Sequence, residues 1–473
     1  MSTASLLIRD AAAIVTGARG AASRATGPDI RVRDGRIEAI GALAPQPGET
    51  QLDARDCVVY PAWVNTHHHL FQSLLKGVPQ GLNATLTPWL AATPLRFRGA
   101  FDEARFRLAA RIGLVELALS GCATVADHNY LYFPGMPFDA STILFDEAQQ
   151  LGLRFVLCRG GATLTRQIEA ELPLALRPEP LDDYLRELER LGRAYHDPAP
   201  DARARIAAAP TTLLFAMREG ELREVVQHAR RLGLRLHSHL SETVHYQDAA
   251  HEQHGITPIA FAQRTGFLGD DVWFAHLVKL DADEIALLGA TGTGIAHCPQ
   301  SNGRLGSGIA PVRSLEDAGV TVSIGVDGAG SNEAADMLSE AHAAWLMQRA
   351  RGGQDALALH RGGSGEQGAA DASIDDVVRW GTAGGAAVLG LDAVGTLAPG
   401  MAADIAVYSL AHDPRHFGLH DVAIAPVAGG RARLKALLVG GRTVVVDGAI
   451  PGLDLAQLGH AARNAVRALQ RAA

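Results

Sequence analysis

The pattern of apolar and polar positions at the two ends of the chain differs from the pattern in the middle. The first segments, SLLIRDAAAIVTG, DIRVRDGRIEAIGAL and CVVYPAWV, are short and apolar or alternating, with Gly, Pro and Asp between them. The C-terminal part repeats this pattern in VGTLAPGMAADIAVYSL and LKALLVGGRTVVVDGAI, and a helical stretch follows at Leu455–Leu469. Such patterns are typical of strands joined by turns. We predict a small β-sandwich domain built from both termini, residues 1–60 and 391–473.

The middle of the chain, residues 61–390, alternates strand-like and helix-like segments. Apolar runs such as RFVLCRGG, RIAAAPTT, DVWFAHLV and VTVSIGVDG are separated by helical patterns at Glu221–Leu232, Thr257–Thr265 and Asp283–Ala290. This alternation indicates βαβ units and a parallel sheet whose strands are buried on both faces. Eight such units fit the length, so the pattern favours a (β/α)8 TIM barrel over a doubly wound sheet. The Gly-rich segment 352–375 is predicted to be a surface loop or a partly disordered insertion.

Composition and charge narrow the class of protein. The 473 residues are 47% hydrophobic and 20% charged, which is an ordinary globular composition. A net charge of −8 argues against nucleic-acid binding. The four cysteines lie far apart, the N-terminus has no signal-peptide pattern, and no apolar window is long enough to span a membrane. These features predict a cytoplasmic protein with no nucleic-acid or membrane partner.

Histidines close several of the apolar runs. The first run ends in Val64-Asn65-Thr66 and is followed by His67, His68 and His69. Residues i and i+2 of a strand point to the same face, so His67 and His69 face the mouth of the barrel together and His68 points away. Active sites of such barrels lie at the carboxyl ends of the strands. Two imidazoles on one strand end can chelate a single cation.

Later strands end in the same kinds of side chain. The segment LRLHSHLSE carries His237 and His239 on one face, with Glu242 three residues further on. The next three apolar runs end in His276, His297 and Asp327. Any one of these residues alone is most simply structural, but strand after strand ending this way is not expected by chance. Imidazoles together with a carboxylate suit zinc or a similar divalent ion.

The order of these residues resembles the amidohydrolase superfamily, in particular its cytosine deaminase, guanine deaminase and triazine hydrolase branch. Pro61–Leu70 is similar to the motif on the first barrel strand, Ala296–Gly308 to the HCP-x-SN motif, and Gly395–Tyr408 to the point where the β-sandwich resumes. The resemblance covers nearly the whole chain. It implies a metal site and a catalytic set, the metal ligands being His67, His69, His239 and Asp327, and the catalytic residues being Glu242, His276 and Asp327.

The low number of lysines bears on the metal count. Only Lys76, Lys279 and Lys435 occur in the chain. Binuclear members of the superfamily bridge two metals with a carboxylated lysine at the end of the fourth strand, and the corresponding segment, Arg205–Thr212, contains none. The resemblance therefore implies one divalent ion, zinc by preference, with iron left open because imidazole and carboxylate suit both.

The resemblance also implies a mechanism. Metal-bound hydroxide attacks the amino-bearing carbon of a heterocycle, and ammonia leaves. Glu242 is expected to carry the proton from the water to a ring nitrogen, while His276 and Asp327 hold and polarise the nucleophile. An acid is needed when an amine leaves and not when chloride leaves, so Glu242 favours deamination over dechlorination.

The substrate prediction is narrower. THHHLFQSLLKGVPQGLNATLTPWL and GCATVADHNYLYFPG most resemble the 8-oxoguanine deaminase group, which acts on 8-oxoguanine and isocytosine. Gln72, His128 and His297 are the predicted substrate contacts, although Gln72 could equally lie on a helix surface and His128 could cap its strand. Trp89 is predicted to pack under the site. The alternatives are a triazine amino- or chlorohydrolase and a non-catalytic barrel. Relatives are commonly homo-oligomers, which leaves a homo-oligomer open here.

Overall fold

The structure is a computed structural model that describes residues 5–165, 176–360 and 372–472, with backbone alone at 356–360. The strands are β1 Ser5–Arg9, β2 Ala13–Ile14, β3 Asp29–Arg33, β4 Arg36–Gly41, β5 Thr50–Asp53, β6 Cys57–Pro61, β7 Trp63–Asn65, β8 Cys122–Asn129, β9 Arg154–Gly161, β10 Ala204–Pro210, β11 Arg235–Leu240, β12 Val272–His276, β13 Gly294–His297, β14 Val322–Ile324, β15 Ile405–Ser409, β16 Arg433–Val439 and β17 Arg442–Val446.

Helices follow most of the central strands. They are α1 Leu86–Leu90, α2 Glu103–Leu119, α3 Ala140–Leu151, α4 Leu181–Tyr195, α5 Leu213–Ala216, α6 Glu219–Arg231, α7 Val244–His254, α8 Pro258–Arg264, α9 Ala282–Thr291, α10 Pro299–Arg304, α11 Val312–Asp317, α12 Ala329–Asn332, α13 Met337–His360, α14 Ile374–Arg379, α15 Gly385–Leu389, α16 Ala425–Ala428 and α17 Leu455–Ala472. Among the described residues, no helix is long and apolar enough to cross a membrane.

Strands β7 to β14 form one parallel sheet in sequence order that closes on itself. At the seam, the amide of Thr66 donates to the carbonyl of Ile324 (3.1 Å) and the amide of Asp327 donates to the carbonyl of His67 (3.0 Å). Strands β8 and β9 are buried along their whole length, as expected when helices cover the outside and side chains fill the inside. The predicted (β/α)8 TIM barrel is confirmed.

The two ends of the chain build two further sheets, with strand orders β4-β3-β1-β5 and β17-β16-β15-β6-β2. N-terminal β6 pairs antiparallel with C-terminal β15, so both ends contribute to one sheet. Ile8 and Ile30 of the first sheet pack in one core cluster with Val59 and Val407 of the second. This layered packing is the small β domain expected beside the barrel. The boundaries given for it, at residues 60 and 391, stay a prediction.

The helix that ends at His360 contradicts part of the loop prediction for 352–375. Helix α13 includes 352–360 and α14 begins at Ile374, while residues 361–371 lie outside the described residues. Buried Leu338, Ala341 and Ala344 anchor the start of α13. Extending an anchored helix adds one hydrogen bond per residue, and this outweighs a cost of about 1 kcal/mol for each glycine.

One buried ion pair links the barrel to the terminal sheets. Arg154 on β9 donates from Nε to Asp404 Oδ2 (2.6 Å) and from Nη2 to Oδ1 (3.0 Å), and both side chains are 3% exposed. Asp404 directly precedes β15, and its Oδ1 also accepts from the amide of Gly440, between β16 and β17 (2.6 Å). Three segments distant in sequence therefore meet at one carboxylate.

Candidate active site

The predicted metal ligands come from three strand ends of the barrel. His67 and His69 follow β7, His239 lies on β11, and Asp327 follows β14. Their ligand atoms all lie within 4.8 Å of one another. Asp327 Oδ1 is 3.3 Å from His67 Nε2 and 3.2 Å from His69 Nε2, and the Nε2 atoms of His69 and His239 are 3.2 Å apart. Three nitrogens and one oxygen thus face a common point.

Hydrogen bonds behind two of these imidazoles fix which nitrogen faces that point. Nδ1 of His69 donates to the carbonyl of His128 (2.7 Å), and Nδ1 of His239 donates to the carbonyl of Thr211 (2.6 Å). A neutral imidazole that donates from Nδ1 has its lone pair on Nε2. Burial lowers the pKa of His67 to about 4 and that of His239 well below its usual value. The rings of His67 and His239 are therefore neutral near pH 7, and neutral imidazole is the form that binds a metal.

The chemistry of this donor set fits one divalent ion. His67 Nε2 is buried and has no hydrogen-bond partner, as expected of an atom kept for a metal. Imidazole nitrogens and a carboxylate oxygen are ligands that zinc accepts. Strand β10, the fourth of the barrel, carries no lysine, so a carboxylated lysine cannot bridge a second ion there.

The carboxylate of Asp327 is held by several donors. The amide of Gly328 donates to Oδ1 (2.7 Å), and the hydroxyl of Ser301 donates to Oδ2 (2.6 Å). Burial alone would raise the pKa of Asp327, but the imidazoles of His67 and His69 beside its Oδ1 bring it well below its usual value. Asp327 also has a φ of 58°. This left-handed backbone is uncommon outside glycine and clusters at functional sites.

Gly325 allows His67 to approach the last barrel strand. A Cβ at this position would lie 2.6 Å from the Cβ of His67 and 2.9 Å from its backbone nitrogen. Backbone atoms cannot move aside without moving the metal ligand itself. Glycine is therefore required where the first and last strands meet.

Glu242 and His276 lie beside the metal ligands. Glu242 Oε1 accepts from the hydroxyl of Ser307 (3.0 Å), and its Oε2 is 3.7 Å from His276 Nε2. Nδ1 of His276 donates to Oδ1 of Asn302 (2.9 Å), which fixes the ring, and its φ of 79° turns the chain at the end of β12. Burial raises the pKa of Glu242. A buried carboxyl with a raised pKa is suited to exchanging a proton near neutral pH.

A pocket opens over these groups. Its walls combine aromatic and apolar side chains with a few polar ones, and they comprise His69, Leu86, Trp89, Leu90, Tyr130, Thr211, Thr212, His239, Glu242, Tyr246, His276, Leu305 and Asp327. Trp89, predicted to pack under the site, forms part of this wall and donates from Nε1 to the carbonyl of Gly330 (2.8 Å). Pockets of this composition bind flat, largely apolar ligands through a few polar contacts.

The three predicted substrate contacts are not among the pocket-lining residues. Gln72 is fully buried, and its Nε2 donates to the hydroxyl of Tyr130, which does line the pocket (2.8 Å). Its Oε1 lies against the backbone of Gly328, where a Cβ would come within 2.1 Å. Gln72 therefore reaches the pocket only through Tyr130.

His128 and His297 are both displaced from the pocket by packing. The ring of His128 stacks behind His239, with centroids 4.8 Å apart, and its Nε2 donates to the carbonyl of Ala209 (3.0 Å). His297 is fully buried at the end of β13, with its Nε2 3.3 Å from Nε2 of Gln348. Both residues lie at the predicted end of the barrel, but the side chain of His128 points into its interior and that of His297 contacts Gln348 on helix α13.

Several pocket residues escaped the sequence analysis. Thr211 and Thr212 follow β10 directly, so the strand-end rule that selected the histidines could have found them. Tyr130 follows β8 in the same way. Leu86, Tyr246 and Leu305 lie on helices or in loops and carry no polar signal, so only the fold reveals their position.

Comparison with known proteins agrees with this geometry. The Amidohydrolase family matches residues 58–448. The chain belongs to this family, and it is a hydrolase that acts on carbon–nitrogen bonds.

Individual relatives place it more closely. It is 67% identical over 471 residues, 99% of this chain and 98% of the relative, to an isoxanthopterin deaminase from an unknown prokaryotic organism. It is 38% identical over 442 residues, 93% of this chain and 94% of the relative, to the 8-oxoguanine deaminase of Pseudomonas aeruginosa. The crystal structure of atrazine chlorohydrolase from Arthrobacter aurescens TC1 complexed with zinc superposes with a TM-score of 0.87 at 28% identity, over 98% of this chain and 100% of the other. These relatives belong to the deaminase and triazine hydrolase branch.

Proposed function

We propose that this protein hydrolytically deaminates a fused heterocycle whose pyrimidine ring carries an amino group between two ring nitrogens and a carbonyl beside them. Isoxanthopterin is the first substrate to test, because the 67% identity to an isoxanthopterin deaminase extends over 99% of the chain. The observation that carries the reaction class is the meeting of His67, His69, His239 and Asp327 at one point beside Glu242.

The predicted substrate 8-oxoguanine falls within this class, and isocytosine is the same amino-oxo ring without a fused second ring. Both contain the amino group flanked by two ring nitrogens and the neighbouring carbonyl, so the bond that breaks is the same in all three compounds. They differ in what is fused to that ring. The finer choice among them therefore depends on the pocket walls and not on the reacting groups.

Each part of the reaction has an assigned residue. His67, His69, His239 and Asp327 would hold one divalent ion, zinc first and iron as the alternative. Such an ion supplies Lewis acidity, which makes a water molecule acidic enough to be deprotonated near neutral pH. Glu242 takes that proton and delivers it to a ring nitrogen of the substrate as the water oxygen bonds to the amino-bearing carbon. A second transfer through Glu242 moves the remaining hydroxyl proton to the amino group, so that the carbon–nitrogen bond breaks and ammonia leaves.

His276 and Ser307 support this transfer. Ser307 donates to one oxygen of Glu242, leaving the other, Oε2, directed toward His276. His276 is in turn fixed by Asn302, so its Nε2 stays on the side of the pocket. The carboxyl therefore has one position from which to accept and return a proton.

The pocket walls suit a flat ring system. Trp89 and Tyr130 present aromatic surface, and Leu86 and Leu305 add apolar contacts. Aromatic side chains pack well against planar ligands. Gln72 donates a hydrogen bond to the hydroxyl of Tyr130 and so orients it. We assign Gln72 this indirect role in place of the direct substrate contact predicted from the sequence.

Ammonia release from a panel of compounds tests this function. Zinc-loaded protein is given isoxanthopterin, 8-oxoguanine, isocytosine and a hydroxy-triazine bearing an alkylamino group, with chelator-treated protein as the control. We expect isoxanthopterin to give the highest kcat/KM, above about 10⁴ M⁻¹s⁻¹, and the chelated protein to be inactive. Preference for the triazine, or no ammonia from any compound with the amino-oxo ring, would reject the proposal.

A further inference from the structure

His237 is not used in the reaction described above, yet its side chain contacts a metal ligand. Its Nε2 is 2.8 Å from Nδ1 of His67. On the other side of the ring, Nδ1 of His237 is 2.9 Å from the carbonyl oxygen of Trp273. The imidazole is fully buried between these two groups.

The positions of the protons in this chain of contacts follow from its last member. A carbonyl oxygen only accepts, so Nδ1 of His237 carries a proton and donates it to Trp273. The ring is fully buried, and the groups at its two nitrogens are another imidazole and a carbonyl oxygen, neither of which carries a negative charge that would offset a buried imidazolium. The ring is therefore neutral, and its Nε2 carries only a lone pair. That lone pair must accept from His67, whose proton is therefore on Nδ1. Nε2 of His67 then faces Asp327 and the other ligands without a proton.

The neighbours of His237 leave its ring little freedom. It stacks on the indole of Trp273, with ring centroids 4.5 Å apart and planes 21° from parallel. The indole is itself anchored, because its Nε1 donates to the carbonyl of Thr66, the residue before His67 (3.1 Å). The backbone that carries His67 and the ring that orients it are thus fixed to the same side chain.

We propose that His237 is a positioning residue that holds the proton of His67 on Nδ1 and so keeps Nε2 free for the metal ion. The other two histidine ligands, His69 and His239, use backbone carbonyls for this purpose. His67 alone depends on a side chain. The inference rests on the proposed metal site and is independent of which heterocycle is the substrate.

A second ion is the competing explanation for the same cluster. Ring nitrogens of His67, His128 and His237 lie within 4.8 Å of one another. The proton positions argue against it, because Nδ1 of His67 carries a proton that it donates to His237. The lone pair of His237 accepts that proton, so only His128 would then offer a free lone pair, and one imidazole does not make a zinc site.

Metal affinity tests the role of His237 without relying on turnover. His237→Leu removes the acceptor at similar size, whereas the side-chain oxygen of His237→Gln can still accept from His67. Partners of this kind are typically worth about 10- to 100-fold in metal affinity. In competition with a chelator we therefore expect His237→Leu to bind zinc about 10- to 100-fold more weakly than the parent, and His237→Gln to recover most of that loss.

A matched control and a spectroscopic signal complete the design. His416→Leu removes a buried imidazole from the segment between β15 and β16 and should leave zinc affinity within about threefold, because that ring lies beside Asp413 and away from the metal ligands. With cobalt in place of zinc, the visible absorption should change in His237→Leu and return in His237→Gln. If His237→Leu does not fold, His237→Met takes its place.

Three results would overturn the inference. These are parent-like affinity in His237→Leu, equal losses in the Leu and Gln variants, and two zinc equivalents per chain that fall to one in both His237→Leu and His128→Leu. Failure of every heterocycle in the substrate panel would reject the proposed substrate class and leave the affinity results unaffected.

Discussion

Three ionisable side chains at the mouth of the barrel, His67, His239 and Asp327, are each held in one protonation state by their surroundings. Burial keeps His67 and His239 neutral, and the adjacent imidazoles together with the donors Gly328 and Ser301 keep Asp327 ionised. Glu242 differs from these residues, because burial raises its pKa and so favours the protonated carboxyl. At the scale of single residues, the ligands are suited to holding an ion and Glu242 to moving a proton.

Replacing Glu242 tests that division of roles. Glu242→Gln keeps the size and the contact with Ser307 but cannot take up a proton. We expect zinc content to stay at the parent value while kcat falls by about 10²- to 10⁴-fold, the usual contribution of general acid–base catalysis. Glu252→Gln makes the same chemical change at an exposed position on α7 and should keep full activity. A Glu242→Gln variant with parent-like turnover would show that another group carries the proton.

Sequence spacing was sufficient for some residues of the site and not for others. The i, i+2 spacing of His67 and His69, and the strand-end positions of His239 and Asp327, follow from rules that hold in any parallel barrel. Gln72, His128 and His297 lie at the right end of the barrel, but packing decides whether such a side chain faces the pocket or the interior. Gly325 gives no signal at all, because its role depends on a contact between the first and last strands.

At the scale of elements, the strands follow the sequence pattern closely and one helix does not. Apolar runs predict the barrel strands because a strand buried on both faces tolerates few polar residues. Helix α13 extends through a Gly-rich stretch because its buried start supplies the nucleus. Local composition could not indicate this, since the anchoring contacts are made with distant parts of the chain.

An ion pair in the first terminal sheet makes the free energy of unfolding depend on pH. Arg31 on β3 donates from Nε to Oε1 of Glu49 (2.7 Å) and from Nη2 to Oε2 (3.2 Å). The hydrogen bond from Arg31 lowers the pKa of Glu49 from 4.5 to about 2. A lowered carboxyl pKa stabilises the folded state above the pKa of the unfolded chain, and this contribution is lost as the pH falls toward the folded value.

Glu49→Gln should therefore destabilise the protein in a pH-dependent way. We expect a lower free energy of unfolding than the parent near about pH 6, and a difference that shrinks toward about pH 3 as the parent carboxylate loses its advantage. Urea unfolding of both proteins across this range measures it. Glu103→Gln, which removes an exposed pair with Arg107 on α2, is the control and should have a much smaller effect. A difference independent of pH would contradict the assignment.

At the scale of the whole molecule, the barrel and the terminal sheets share the Arg154–Asp404 pair. Removing one member of a buried pair leaves the other charge without its partner and typically costs about 3–5 kcal/mol. We expect Asp404→Ala to lower the free energy of unfolding by about that amount. Asp317→Ala, which removes an exposed pair with Arg313, should cause a much smaller loss. If the two substitutions lowered the free energy of unfolding equally, the Arg154–Asp404 pair would contribute no more to stability than an exposed ion pair.

The closure of the barrel between β7 and β14 has a consequence for when the metal centre can form. His67 belongs to the first barrel strand to leave the ribosome and Asp327 to the end of the last, and the neighbouring contact of His68 with Asp327 spans 259 residues. A nascent or truncated chain that lacks β14 carries three imidazoles but not the carboxylate that completes the set. The complete set of four ligands therefore exists only once the last strand of the barrel lies beside the first.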